Sequence, residues 1–478
     1  MNRLFIHLLA ILLIAATLTT ALPAADTGAA KTYLLRAAAQ RGQITNVRVV
    51  LNVEGHLKLA GEGKVDQLPL KVAGNLQYDE RVVEVDAETG QVSRSLRLYE
   101  RAEATITIKA KPIRQTLPAD HRRIALAAGK EGITMICPGD HLSREELDLI
   151  DVIGNSLLLD RLLPNRKVHI DEEWSPPPQA LATFLGLDAA SHSEVKCRLA
   201  EVKGNVASVE MKGTMVGAVG GVSSEIELNA RFTYHLTQRR ITSLALAMRE
   251  NRSIGHASPG LKVTAKLQMA IGSSHATGKR VTGKRAAGTL NDQLSDKAIA
   301  NIDLTADAHS TLLKYTAAGQ YTLLHDPRWH IVAEQPGLSV LRLVDRGELV
   351  AQCKIATPSG KESSDPVTLD SFRAQVRKAL GQNLKKIDGA AQTKTAAGYQ
   401  VIRVVASGSV SDLSIRWIYL HVSDTKGHQA TFVFALESSL MERFATADLV
   451  MLSSLRFTAP RVAEKPEAGS KADKAARK

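Results

Sequence analysis

Long stretches in which apolar and polar residues alternate one for one decide most about this chain. Residues 47–59 (VRVVLNVEGHLKL), 68–85 and 96–109 (LRLYERAEATITIK) follow this pattern. It returns over 194–202, 206–216, 224–236, 241–250 and 261–271. Side chains alternate across a strand, so this patterning predicts strands with one buried and one wet face, the antiparallel signature. Several runs are near the upper end of strand lengths, which predicts a tall, curved sheet.

A helical pattern interrupts the strands. Ser143 and Glu146 have capping-box spacing, and Leu147, Ile150, Ile153, Leu157 and Leu158 follow at helical spacing. A helix is expected over 143–161, ended by Leu162-Leu163-Pro164-Asn165. Pro176-Pro177-Pro178 cannot be helix interior, and a second short helix is expected over 179–187. Residues 31–273 thus read as one antiparallel β-rich domain with a helical insert.

Residues 274–297 carry Lys279, Arg280, Lys284 and Arg285 among few apolar residues. They read as a basic linker, with a solvated hairpin tip as the alternative. In 298–458, short strands are expected at 321–324 and 329–334, then a hairpin around Asp345-Arg346-Gly347. An amphipathic helix over 367–384 carries Phe372, Val376 and Leu380 on one face. Strands at 399–406, 413–422 and 430–436 precede a closing helix striped by Leu440, Phe444, Ala447, Met451 and Leu455. The tail, 459–478, is rich in Ala, Lys and Glu and reads as disordered. The expected fold class is α+β: a large curved antiparallel sheet with a helical insert, then a smaller α+β domain.

Residues 1–25 read as a signal peptide: a basic start at Arg3, an apolar run over 4–18, then small residues around Ala21, Ala24 and Ala25. The chain is expected to be exported, periplasmic or extracellular, with cleavage between Ala21 and Ala30. An uncleaved anchor is the alternative. No other stretch approaches the ~18 apolar residues of a spanning helix, so no transmembrane span is expected after cleavage. Export permits a disulfide. Cys137 and Cys197 either form one, leaving Cys353 as a buried thiol, or all three thiols are unpaired and buried.

Lys and Arg exceed Asp and Glu by 61 − 49 = +12. Nucleic acid is not expected as a partner, because the signal opposes it and no binding motif is present. Aromatics at 4% argue against stacking platforms for sugars or single strands. The basic clusters instead suit an anionic envelope component or another protein.

There is no HExxH, Walker loop or GxSxG elbow. His421 and His428 flank a hairpin turn and His325 and His330 a strand start, but neither pair has closing ligands at zinc spacing. Asp171, Glu172 and Glu173 precede Trp174, but consecutive carboxylates alternate across a strand and make a poor acid–base pair. Trp329 and Trp417 read as core or rim aromatics, with Arg416 on the wet face. No catalytic, cofactor-binding or metal residue is expected, and the chain is expected not to be an enzyme.

The C-terminal region resembles the photosystem subunit family PsbP. The likeness rests on the order DPRWHIV, a helix, 398–406, RWIYLHVSDTKGHQATFVFAL and a closing helix ending in SSLRF. It implies a non-enzymatic interaction module. The segment LLLDRLLPNRKVHIDEEW, with its Leu-Pro turn into Trp174, resembles secreted bacterial β-rich domains of unknown function. A long antiparallel sheet interrupted by helices is also similar in architecture to the carriers LolA and LppX. That implies an exported, non-enzymatic binding module, or alternatively a carrier holding an amphiphilic or lipid ligand in the curved N-terminal sheet.

Overall fold

The computed structural model describes residues 31–61, 64–129, 132–273, 293–317, 320–358 and 367–458. The segment expected to be an export signal, most of the basic stretch and the tail lie outside the described residues. What is described is mostly antiparallel β-structure in open sheets.

The first strands are β1 (Thr32–Leu35), β2 (Ile44–Ala60), β3 (Val65–Val85), β4 (Val92–Ile108), β5 (Lys111–Thr116), β6 (Arg123–Ala128) and β7 (Ile133–Ile136). The insert follows: α1 (Arg144–Ile150), a 3₁₀ turn (Ser156–Leu162), β8 (Arg166–His169), β9 (Glu173–Trp174) and α2 (Pro178–Phe184). Then come β10 (Ala189–Ser193), β11 (Lys196–Lys203), β12 (Val206–Val219), β13 (Val222–His235), β14 (Arg240–Arg252) and β15 (Gly260–Ser273). Apart from the small β1–β8 pair, these form a 13-stranded sheet ordered β7-β6-β4-β3-β2-β15-β14-β13-β12-β11-β9, with β5 on β4 and β10 on β12.

The two runs of strands meet at β2–β15, in unbroken register from Thr45–Ser273 to Lys58–Gly260. The insert joins the sheet's outer edges, β7 and β9, and crosses over one face. Open twisted sheets beyond about 10 strands tend to curl. This one packs its inner face on the insert: Leu76, Leu199, Phe232, Leu246 and Leu267 share a core with Leu158, Leu162, Leu181 and Phe184.

The helix expected over 143–161 is broken. The Ser143–Glu146 capping box forms, but α1 ends at Ile150. Gly154 takes φ +74, with Leu244 and Leu267 methyls 3.4–3.5 Å from where a Cβ would sit. The left-handed backbone at Gly154 ends the helical run, and Asn155 then caps the tighter 3₁₀ segment. The short second helix is α2. All three cysteines are buried and unpaired, which settles the open choice at Cys137 and Cys197 against a bridge.

β4 carries a bulge. Gln77 pairs with Arg101 and Tyr78 with Tyr99, leaving Glu100 extra. Tyr99 and Ala102 therefore share the inner face, while Leu96 and Leu98 turn outward. The segment around α3 (Asp296–Ile299) covers them, through Leu294, Ile299, Ile302 and Leu304. The chain up to Leu313 thus packs on the first sheet.

Beyond it lie β16 (Leu313–Ala317), β17 (Tyr321–His325), β18 (Trp329–Gln335), β19 (Leu338–Asp345), β20 (Glu348–Ala356), α4 (Leu369–Leu380), β21 (Leu384–Lys394), β22 (Gln400–Val410), β23 (Leu413–Ser423) and β24 (Gln429–Glu437). α5 (Met441–Phe444), α6 (Ala447–Ser454) and β25 (Arg456–Phe457) close the described chain. A 7-stranded sheet runs β18-β19-β20-β24-β23-β22-β21, beside a 3-stranded sheet β16-β17-β25. α4 packs Phe372, Val376 and Leu380 against Trp417 on one face. Phe444 and Met451 pack against Phe432 and Phe434 on the other. The closing helix expected as one piece breaks at Ala445, where φ is +49.

Phe444 is fully buried, whereas Glu442 is exposed. Phe444→Ala is expected to cost about 3–5 kcal/mol and Glu442→Ala about 0.5 kcal/mol or less, read as urea midpoints of the full chain. Equal shifts would refute this packing.

Candidate functional site

The inner face of the large sheet has two parts. Under the 3₁₀ turn and α2 it is filled, with Leu157, Leu158, Leu159 and Leu162 all buried. Towards the β2–β3 turn α1 is the one insert element, among the described residues, that lies over it. There Leu51, Val53 and Leu57 of β2 lie only half-buried, as do Val72 of β3 and Ile106 and Ile108 of β4. Opposite Ile106, Ile113 of β5 is 52% exposed.

Where this face passes beneath α1 it forms an apolar cavity of about 230 Å³. Val49, Leu51, Val72, Leu76, Ala104 and Ile106 make the floor, and Leu149 and Val152 the roof. Arg144, Glu145 and Asp148 of α1 and Gln115 of β5 are its polar lining. Gly74 sits in the floor, where a side chain would take up space. The volume is below the ~300–1,000 Å³ of drug-sized sites, so it suits one slender apolar group, continued along the open strip.

Deeper under the insert lies a polar cluster. Arg97 Nε donates to Glu80 Oε1 at 2.8 Å, and Arg97 Nη2 to Asn155 Oδ1 at 2.6 Å and Ser156 Oγ at 2.9 Å. The guanidinium also stacks 4.4 Å from the Tyr78 ring centroid. Burial penalises the Arg97 charge, but Glu80 beside it overrides that and holds the group protonated. An adjoining cavity of about 70 Å³ is lined by Glu80, Ser95, Ser156, Asp160 and Arg240. It has room for a few waters and not for a substrate. Asp160 lies half-buried there beside Leu157, Leu159 and Ile241. Burial pushes it up to about 7, with Arg240 opposing.

The residues singled out in the sequence are held by separate partners. Asp171 pairs with Arg198, Glu172 with Arg166, and Glu173 with Lys196. Trp174 is buried, its indole N–H donating to the Leu162 carbonyl at 3.0 Å. His428 Nδ1 lies 2.7 Å from Asp424, and His421 packs on Phe372. His325 is buried, and burial holds His330 down at about 4. Among the described residues, no three His, Cys, Asp or Glu side chains gather as metal ligands would. Sequence reading missed the bridge from His121 to Glu146 at 3.0 Å and to Asp140 at 3.2 Å. Only Glu146, as a capping residue, gave a signal.

No protein-family model and no curated protein matches the chain. A Pseudomonas aeruginosa protein of unknown function, described as a putative regulator, is 9% identical over 30% of this chain and 94% of its own, at a TM-score of 0.21. The cyanobacterial PsbP of Synechocystis is 17% identical over 30% of this chain and 92% of its own, at a TM-score of 0.24. A lipovitellin structure concerned with lipid–protein interactions is 9% identical over 51% of this chain and 27% of its own, at 0.29. At these scores none carries an argument about fold or function.

Asp160 gives a pH signature. An acid raised in the folded state keeps its proton where the unfolded chain has lost it, so its contribution is full below about pH 4 and lost as pH rises through 7. The urea midpoint of Asp160→Asn is therefore expected to fall less between pH 5 and pH 8 than that of the parent chain. An unchanged pH profile would show that Asp160 is not buried in this way.

Proposed function

We propose that the chain is an exported, non-enzymatic binding protein that holds the apolar chain of an amphiphile on the inner face of its large sheet. The half-open strip that ends in the cavity under α1 supports this most directly. On this strip Leu57 stays half-buried and Ile113 exposed, both outside the lining of that cavity. Exposed aliphatic surface lowers its free energy by leaving water, at about 25 cal/mol per Å². A single acyl chain laid along the strip would do that without unfolding the core. The non-enzymatic reading is supported by the 70 Å³ size of the cavity that gathers Glu80 and Asp160.

A second reading has one observation in its favour. α4 and β21 expose Arg377, Lys378, Lys385, Lys386 and Lys394, with Asp370 and Asp388 as the acidic residues on these two elements. The C-terminal unit, read as PsbP-like, would then dock an anionic envelope component through this face.

Protein purified without detergent is expected to carry an acyl-containing molecule detectable by mass spectrometry of its organic extract. Val72→Asp, which places a charge in the cavity floor, is expected to weaken binding of an uncharged fluorescent acyl probe at least about tenfold. Lipid-free protein with no probe binding would refute the reading. Probe binding that survives Val72→Asp, together with binding of anionic vesicles that is lost in Lys385→Glu/Lys386→Glu, would favour the second.

A further inference from the structure

Among the described residues, Arg144 is the one cation that lines the apolar cavity, where the carboxylates of Glu145 and Asp148 are its charged neighbours. Its Nη2 donates to the carbonyl of Pro327, in the loop that leads into β18 of the C-terminal sheet. Its Nη1 lies 3.8 Å from Asp148, which is largely exposed. Its Nε–H is shielded from water and has no partner among the described residues. One guanidinium thus faces the cavity and also ties the C-terminal unit to the large sheet.

Few polar contacts make that tie. The Lys314 amide donates to the Leu142 carbonyl at 2.8 Å, and His141 Nδ1 lies 3.2 Å from the Leu312 carbonyl. Arg342 donates to the His256 carbonyl at 2.5 Å. Two turns touch glycine to glycine: a Cβ on Gly221 would fall 2.2 Å from Gly347 Cα. Leu142 and His141 immediately precede α1, so the junction is built next to the cavity mouth.

Resting on the amphiphile reading above, we infer that Arg144 recognises the head of the ligand. The ligand is a single-chain amphiphile with an anionic carboxylate or phosphate head, and its binding loosens the junction. A guanidinium bonds a carboxylate or phosphate about twice as strongly as it bonds a neutral carbonyl, often through two parallel N–H donors. An anionic head reaching the mouth therefore satisfies the free Nε–H and draws the guanidinium away from Pro327. The effect is reciprocal: the factor by which the anion loosens the junction is the factor by which the docked C-terminal unit weakens anion binding.

The test uses the full mature chain, delipidated and loaded with an uncharged fluorescent acyl probe. Four competitors of equal chain length are compared: dodecanoate, lauroyl lysophosphatidylglycerol, uncharged monolaurin and dodecylammonium. One or both anions are expected to displace the probe about tenfold better than monolaurin, and dodecylammonium less well than either anion. Preference for one anion over the other identifies a free fatty acid or a phospholipid as the source. Arg144→Gln is expected to abolish the anion advantage while leaving monolaurin affinity unchanged. Hydrogen exchange at the Lys314 amide is expected to quicken with the anions and not with monolaurin. Equal affinities for anions and monolaurin, tighter binding of dodecylammonium, or an Arg144→Gln loss shared by all four would overturn the inference and leave the cavity reading standing. Failure of every competitor to displace the probe, or of the probe to bind, would overturn the cavity reading itself and this inference with it.

Discussion

The buried pair of Glu80 and Arg97 fixes where the insert lies on the sheet. The two residues are directly opposite on β3 and β4. Glu80 accepts from Ser95 at 2.9 Å and from Ser156 at 2.6 Å, while Arg97 holds Asn155 and Ser156. Asn155 and Ser156 are the residues that start the 3₁₀ turn. Removing one member of such a pair would leave a buried charge uncompensated, typically at about 3–5 kcal/mol. From that anchor Leu157, Leu158, Leu159 and Leu162 fill one half of the inner face. Over the other half, towards the β2–β3 turn, α1 is the one insert element among the described residues, and the cavity is the result. Filled core and open strip thus share one cause.

Much of the large sheet was legible because a half-covered antiparallel strand writes its two faces into the sequence. β13, with Ile226, Leu228, Ala230, Phe232 and Tyr234 buried in strict alternation, is the plainest case. β4 was harder. Leu96, Leu98, Ala102, Ala104 and Ile106 are all even-numbered and read as one face. The bulge at Glu100 places the first two on the opposite side, where a segment 200 residues away covers them. Periodicity records that a residue is buried, and not by what. Arg97 was illegible for the same reason: it looked like the wet partner of its neighbours, and only the bulge and the insert bury it.

Both faces of the C-terminal sheet are covered, and its sequence shows this less cleanly. On β23 the buried run Trp417, Ile418, Leu420, His421 and Val422 breaks alternation because α4 meets one side and α5 and α6 the other. The breaks at Gly154 and Ala445 were also hidden. Each lies within an apolar stripe that continues across it, so spacing alone reads one helix where packing requires two. The candidate cavity was not visible as a motif. It arises from an absence of cover over residues that alternate like any other buried strand.

The most direct test of the account is to locate an acyl chain in the protein. A crystal structure of the protein with 12-bromododecanoate, phased on the bromine, would do so. The account predicts anomalous density within the cavity, against Val72, Ile106 and Leu149, with the head towards α1. Well-ordered protein with Leu149 collapsed onto Val72 and no bromine on the inner face would contradict it.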